Sequence, residues 1–415
     1  MAEILYLTHR IPYPPDKGDK IRSYHVLRHL AARHRVHLGC FIDDPADRRH
    51  IATLRPWCAS SCFVDLSPSM ARVASLRALL SGEPMSMAYY RSARLQRWTD
   101  SLLQDARVDA ALAYSSPMAQ YLERVLPGGV RRVIDFVDVD SEKWSAYAAT
   151  RRWPLSALYR REGLRLRQAE ARIARDCDGA SFVSAAEAEL FRQRAPDAAQ
   201  RVGHFNNGVD ALYFRPQPDY PRPYPLDVTV LAFTGAMDYW PNIEAVDWFA
   251  RAVLPALLAR RPALRFYIVG ARPAPRVRQL AALPGVVVTG AVPDTRPYLA
   301  HAAMAVAPLR IARGVQNKVL EAMAMQKTVL ASPQALEGID AVPGGEVLVA
   351  HDAPAWIARI GYFLAHGPEL GQAARQRVLR DYAWSGNLSR LETMLGLAPA
   401  SDLHPARLAL PDALA

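Results

Sequence analysis

The amino-acid sequence predicts an α/β protein of two domains, each a parallel sheet with helices on both faces. Three observations predict it. Short apolar runs alternate with amphipathic runs from end to end, the pattern of strands joined by helical crossovers. At 415 residues the chain exceeds one ordinary core and fits two domains of about 200 residues. A proline-rich stretch, PQPDYPRPYPLD at 216–227, cannot hold regular structure and is read as the linker between the halves.

In the first half, 1–215, the apolar runs at 4–8, 36–42, 62–66, 110–114, 132–136, 180–183 and 202–205 are expected as strands. A helix is expected at 19–33 and a long helical stretch at 141–175. The loop HRIPYPPDKGDK follows the first strand, and ligands of open α/β sheets bind beyond the carboxyl ends of strands. Gly18 allows close approach of the backbone to a ligand, and Asp19 suits the cap of the next helix. A plain proline-rich turn stopped by a glycine fits the same residues.

DFVDVDSEKW, at 135–144, leads from a strand into the long helical stretch. Helix N-capping accounts for Asp140 or Ser141, whereas Asp138 falls at the strand end, on the ligand side. In 141–175 many arginines stand among or beside Trp144, Tyr147, Trp153 and Tyr159. Such a mixture suits a membrane surface or a polyprenyl-diphosphate head group, and equally a solvated helix face. In HFNNGVDALYF, at 204–214, Asn207-Gly208 is a turn signal and is assigned a hinge role.

In the second half, 228–380, strands are expected at 228–233, 265–269, 286–289, 305–307, 328–331 and 346–349, with helices at 242–259 and 315–325. Gly235 ends the first of these strands, and Pro241 suits the first turn of the helix after it. A final helix is expected within 381–397, and 398–415 reads as a loosely held tail.

The run RIARGVQNKVLEAMAMQKTVLAS, at 310–332, is the most informative in the chain. It reads as a loop with a glycine, an amphipathic helix and a buried strand. The first amides of a helix carry unpaired donors and partial positive charge, so they attract phosphate. Lys318 and Glu321 follow Gly314 at spacings of four and three, on one helix face. A lysine there can neutralise a diphosphate, and a glutamate one turn on can accept hydrogen bonds from two ribose hydroxyls. Val315, Val319, Ala322 and Met323 form the apolar face. An ordinary helix and strand behind a simple turn fits the same pattern.

Composition narrows the partners. The net charge of +11 suits anionic ones: nucleic acid, an anionic membrane or phosphorylated substrates. Arginine-rich composition also follows from GC-rich coding. No zinc-finger spacing, aromatic RNA-binding signature or basic tail is present, which disfavours nucleic acid. No apolar run reaches the roughly eighteen residues of a spanning helix, and MAEILYLTHR reads as a strand, so a cytoplasmic location is expected. Cys40, Cys58, Cys62 and Cys177 are scattered and are expected to be reduced thiols. No G-x-G-x-x-G follows a strand, which disfavours a nicotinamide-dependent dehydrogenase.

The run at 310–332 resembles the donor-nucleotide element of family 4 glycosyltransferases. These have the GT-B fold: two Rossmann-like domains facing across a cleft, with a C-terminal helix crossing back to the first domain. The form RGVQNKVLE is similar to one subgroup, the sugar transferases associated with exosortase, or PEP-CTERM, exopolysaccharide loci. Glu321 matches the second glutamate of the family pattern, and Arg313 stands where the first is common. The resemblance extends from the Gly18 loop, through Asn207-Gly208-Val209-Asp210 near the domain junction, to Tyr382 and Trp384 at the start of the final helix. Relatives commonly hold the diphosphate with an arginine and a lysine after the strand ending at Gly235. Here no basic residue occurs between Gly235 and Asp247, leaving Arg310, Arg313 and Lys318 as candidates.

The resemblance implies transfer of a sugar from a nucleoside-diphosphate sugar to a saccharide or polyprenyl-diphosphate-linked acceptor, in exopolysaccharide biosynthesis. Configuration would be retained, and neither metal nor other cofactor is implied. Gly18, Gly235, Gly314, Val315, Asn317 and Glu321 would bind the donor, with Glu321 on the ribose. Asp138, Arg313 and Lys318 would be catalytic: Asp138 where relatives place a polar residue near the reacting groups, the two cations and the amides of Gly314 and Val315 on the departing diphosphate. Closure of the domains would exclude water. The protein would be peripheral at the inner membrane. A sugar-nucleotide epimerase of the same fold and a non-catalytic glycosyltransferase-like subunit remain alternatives.

Overall fold

The computed structural model describes residues 1–15, 18–105, 108–123, 129–312, 315–367 and 370–397. The described chain divides into two compact units, 1–207 with 387–397, and 208–386. The division falls between Asn207 and Gly208. The proline-rich stretch instead packs onto the second unit, where Tyr224 is buried and donates its hydroxyl to the Tyr298 carbonyl at 2.7 Å.

The first unit holds a seven-stranded sheet: β1 Glu3–Thr8, β2 Arg35–Ile42, β3 Ser60–Asp65, β4 Ala110–Tyr114, β5 Arg131–Val137, β6 Gly179–Phe182 and β7 Val202–His204. Its order is β3-β2-β1-β4-β5-β6-β7, and every pairing is parallel. Such strands are covered on both faces, so they are near-continuous apolar runs, as in the wholly buried Ala110–Tyr114. Phe136, Phe182 and Phe191 stack in the core, with ring centroids 4.8–5.4 Å apart. A second core feature is ionic. Arg22 and Asp135, each about 1 % exposed, form a bidentate pair at 2.8 and 3.0 Å, and Arg22 also donates to the Phe205 carbonyl.

The second unit holds a six-stranded sheet: β8 Thr229–Thr234, β9 Leu264–Val269, β10 Val286–Gly290, β11 Met304–Ala307, β12 Val329–Ala331 and β13 Leu348–Val349. Its order is β10-β9-β8-β11-β12-β13, again all parallel. In both sheets the strand order reverses at the first strand, between β1 and β4 and between β8 and β11. Helices leave in opposite directions at such a point and open a crevice at the carboxyl ends of the strands.

Three local expectations need correction. The stretch 141–175 is two helices, Asp140–Thr150 and Leu155–Asp176, because Pro154 cannot sit in a helix interior. The helix expected at 242–259 runs from Trp240 to Arg260 but carries a wider turn at Phe249–Val253, just ahead of Pro255, where a regular amide hydrogen bond is missing. Neither Asp140 nor Ser141 caps its helix. Glu187 accepts from the Val139 amide at 2.7 Å, while Glu170 accepts from the Ser141 hydroxyl at 2.6 Å. Burial pushes the Glu170 carboxyl up to about 8, against the Ser141 hydrogen bonds.

The four cysteines are free thiols. Among the described residues no helix is long and apolar enough to cross a membrane.

Candidate functional site

In the second unit the site grows from the reversal point between β8 and β11. Gly235 follows β8 with φ +152°. A Cβ there would stand 2.8 Å from Asn242 Nδ2 and 3.2 Å from Lys318 Cε. Gly270, after β9, lies closer still: its Cβ would fall 1.7 Å from the Gly235 carbonyl oxygen. Only residues without side chains allow these backbones to meet, which leaves room above Gly235 for the side chains of two helices.

Those helices are Trp240–Trp248, which follows β8, and Asn317–Ala324, which follows β11. Asn242 is buried at the start of the first, and its Nδ2 donates to the Ala236 carbonyl at 2.8 Å. Its Oδ1 accepts from Lys318 Nζ at 3.0 Å, and Lys318 also donates to Gln316 Oε1 at 3.4 Å. The ammonium lies 5.4 Å from the centre of the Phe233 ring. Burial pushes Lys318 down to about 8, with the charge of Glu321 opposing. Burial likewise pushes Glu321 up to about 7, with Lys318 opposing. Two desolvated, opposite charges thus line one face of a helix start that has no side-chain cap.

The structure therefore brings together Gly235 and Lys318, with Glu321 one turn on and Val315 and Asn317 half-buried at the helix entry. Arg313 and Gly314 lie outside the described residues. Arg310 is committed elsewhere: its Nη1 donates to Glu244 Oε1 at 3.0 Å. This pair lines a cavity of about 640 Å³ with Trp240, Trp248, Ser332 and His351, of which Lys318 is not part. Sequence reasoning missed Asn242 as a site residue. Its only signal was a polar residue seven positions after Gly235, on a helix that buries Pro241, Ala245 and Val246 beside it.

In the first unit Gly18 opens the helix Gly18–Ala31, while Asp16 and Lys17 of the loop before it lie outside the described residues. Asp138 follows β5 and accepts from Lys143 Nζ at 2.6 Å, which also reaches Asp140 at 3.0 Å. Asp19 lies in the first turn of the Gly18–Ala31 helix, accepts from the Lys20 amide at 3.0 Å, and is an ion-pair partner 2.9 Å from Arg10 Nη1 and 3.4 Å from His9 Nε2. Burial works against its charge, but His9 and Arg10 hold the carboxyl well below the usual range.

His9, missed in the sequence, sits directly after β1 at the reversal point. Its Nδ1 is 3.0 Å from the Ser115 hydroxyl, and its ring stacks on Tyr114 at 5.6 Å. Ser115 and Val137, ending β4 and β5, adopt φ of 75° and 71°. Left-handed backbone at non-glycine residues costs about 1–3 kcal/mol each and collects where side chains must be aimed. Among the described residues no group of three or more His, Cys, Asp or Glu side chains is placed to hold a metal ion.

With this geometry in hand, comparison with known proteins defines the class. Residues 228–366 match a family model described as glycosyl transferases group 1. No curated protein sequence matches the chain. Similar solved structures include sucrose-phosphate synthase from Thermosynechococcus elongatus, with 18 % identity and TM-score 0.67 over 95 % of this chain and 98 % of that one. The Anabaena protein HepE in complex with UDP gives 13 % and 0.65 over 95 % and 100 %. WaaG, a glycosyltransferase involved in lipopolysaccharide biosynthesis, gives 14 % and 0.59 over 95 % and 100 %. The fold is GT-B, of two Rossmann-like domains. The chain is a glycosyltransferase, with the group 1 domain in its second unit.

Proposed function

We propose that this glycosyltransferase takes a nucleoside-diphosphate sugar on its second unit and passes the sugar to a saccharide or polyprenyl-diphosphate-linked acceptor in exopolysaccharide synthesis. It acts with retention and without a metal, in the manner of the family 4 subgroup that RGVQNKVLE resembles. The observation that carries this is the cluster of Gly235, Asn242, Lys318 and Glu321 at the β8/β11 reversal point, inside the matched domain. HepE, solved with UDP-glucose, lends the donor class. Lys318 and the amides from Val315 onward stabilise the diphosphate as negative charge grows on it. Arg313 and Gly314 complete that group, Asn317 borders it, and Glu321 accepts from the ribose hydroxyls. On the first unit, His9 is the side chain held ready for an acceptor hydroxyl, oriented by Asp19 and Ser115. Asp138, already paired with Lys143, contributes a fixed dipole near the same strand ends. The arginine- and aromatic-rich stretch 141–175 suits work at an anionic membrane surface.

Saturation-transfer NMR of the purified protein against UDP, GDP and ADP tests the donor reading. One nucleotide is expected to bind, and Glu321→Ala to remove most of its signal. A folded protein that binds none of the three refutes it. Sugar transfer detected only with an acceptor present then separates this reading from an epimerase.

A further inference from the structure

The helix Pro68–Ser81 is built inside out. A helix on the surface of a soluble domain turns its large apolar side chains inward. This one buries Ala71, Ser75 and Ala78 and exposes large ones: Met70 by 74 %, Val73 by 58 %, Leu76 by 56 % and Leu80 by 93 %. Val73, Leu76 and Leu80 follow at helical spacing, so they form one outward stripe rather than scattered exposures. The helix is firmly seated. Arg161 donates to the Ala78 carbonyl at 2.7 Å and to those of Leu79 and Glu83 at 3.4 Å. Gly82 ends it in the left-handed conformation. Small residues on the inner face allow close packing, and the large ones are left for something else.

The charge around the stripe says what that is. The segment 68–81 contains no acidic residue, while Arg72 and Arg77 are exposed on the helix. Arg165, also exposed, stands beside Gly82 at its end. Leu, Val and Met flanked by arginines, with no carboxylate on the helix itself and Glu83 just past its end paired with Arg91, are complementary to an anionic bilayer, where the aliphatic groups enter the acyl boundary and the guanidinium groups meet phosphates. We propose that Pro68–Ser81 is the docking surface by which this protein lies on an anionic lipid membrane. The proposal deepens the membrane part of the proposed function and rests on it only for the acceptor's location.

The test is flotation of the full chain with phosphatidylglycerol-containing vesicles, against pure phosphatidylcholine vesicles, at about 0.1 M salt. The protein is expected to float with the anionic vesicles only. Val73→Glu with Leu80→Glu, both at exposed positions, should lower binding by about tenfold or more. Arg72→Ala with Arg77→Ala should lower it by about fivefold per arginine and weaken its salt dependence. Flotation equal to that of the parent for the glutamate pair, or none for the parent, overturns the proposal. A parent dimer that the glutamate pair converts to a monomer in sedimentation assigns the stripe to a second copy and overturns it too. Nucleotide binding is measured on each variant: lost flotation with nucleotide binding intact concerns this surface, and lost nucleotide binding in the parent concerns the function.

Discussion

Replacing Lys318 by Met should make the protein more stable and less able to bind nucleotide. The folded protein holds this ammonium near 8 instead of the usual 10.5. At about 1.4 kcal/mol per pH unit of difference, keeping it charged costs roughly 3 kcal/mol. Methionine fills similar space without the charge but leaves Asn242 Oδ1 without its donor, which returns about 1–2 kcal/mol of that gain. The comparison is made at about pH 6, where Glu321, pushed up to about 7, is protonated and loses no opposite charge. The net is about 1–2 kcal/mol of stabilisation, or a rise of roughly 2–8 °C in the thermal midpoint for a unit of this size. The sign with pH follows from linkage. Between 8 and 10.5 the unfolded chain binds a proton that the folded one does not, so the cost is full below 8 and gone above 10.5. The advantage of the variant should therefore shrink as pH rises through that window. Scanning fluorimetry with and without the bound nucleotide reads both effects: the parent midpoint rises with nucleotide and that of the variant stays put. A variant that melts several degrees lower and still responds fully to nucleotide would refute the reasoning, because Lys318 would then be an ordinary structural lysine.

Four further outcomes are expected. Nucleotide affinity should fall on both sides of a plateau between about 7 and 8, as Glu321 gains a proton below it and Lys318 loses one above it; a calorimetric profile flat from 6 to 9 on the pH scale, about one unit either side, would contradict this. Asn242→Ala should cost about 1–3 kcal/mol by denaturant unfolding, since the Ala236 carbonyl and Lys318 both lose a partner, and should weaken nucleotide binding. His9→Ala should reduce turnover at saturating donor by about 100-fold or more while nucleotide affinity stays unchanged, as expected for a group acting on the acceptor. Arg22→Met should destabilise the first unit by about 3–5 kcal/mol, because it leaves the Asp135 carboxylate buried and unpaired, and should leave nucleotide affinity alone.

The strands were readable because parallel strands buried on both faces are unbroken apolar runs, and all thirteen expected runs carry a strand within one or two residues at either end. The orientation of Pro68–Ser81 was not, because periodicity locates a stripe without saying whether it faces the core or the solvent. Lys318 and Glu321 were visible as a spacing on one helix. The partner of Lys318, Asn242, lies 76 positions away on another crossover, and nothing local couples the two. His9 likewise depends on Ser115, 106 positions on, brought alongside by the pairing of β1 with β4. Capping of the Asp140 helix went astray for the same reason: Ser141 is locally suited to cap, but Glu187 and Glu170, from two other helices, accept from the Val139 and Ser141 amides instead.

The cations of the second unit support Lys318 as the group that would meet a diphosphate in the proposed site, which lacks the arginine–lysine pair common in the family it resembles. Arg251 and Arg276 are bound to Asp247, Arg272 to Asp238, Arg296 to Asp294 and Arg310 to Glu244. Each would have to give up a carboxylate to meet a phosphate, at a cost similar to what it gains. Lys318 is held by neutral amides instead, from Asn242 and Gln316. An arriving diphosphate breaks no ion pair there, and its charge relieves the desolvated ammonium rather than competing for it. Asn242 acts as a placeholder that fixes the Lys318 amine without neutralising it. That division of labour predicts an outcome: Asn242→Asp, which puts a carboxylate 3.0 Å from the amine and an acceptor in place of the Nδ2 donor to the Ala236 carbonyl, should weaken nucleotide binding by about tenfold or more. A gain in affinity from that substitution would mean that the diphosphate does not bind at Lys318.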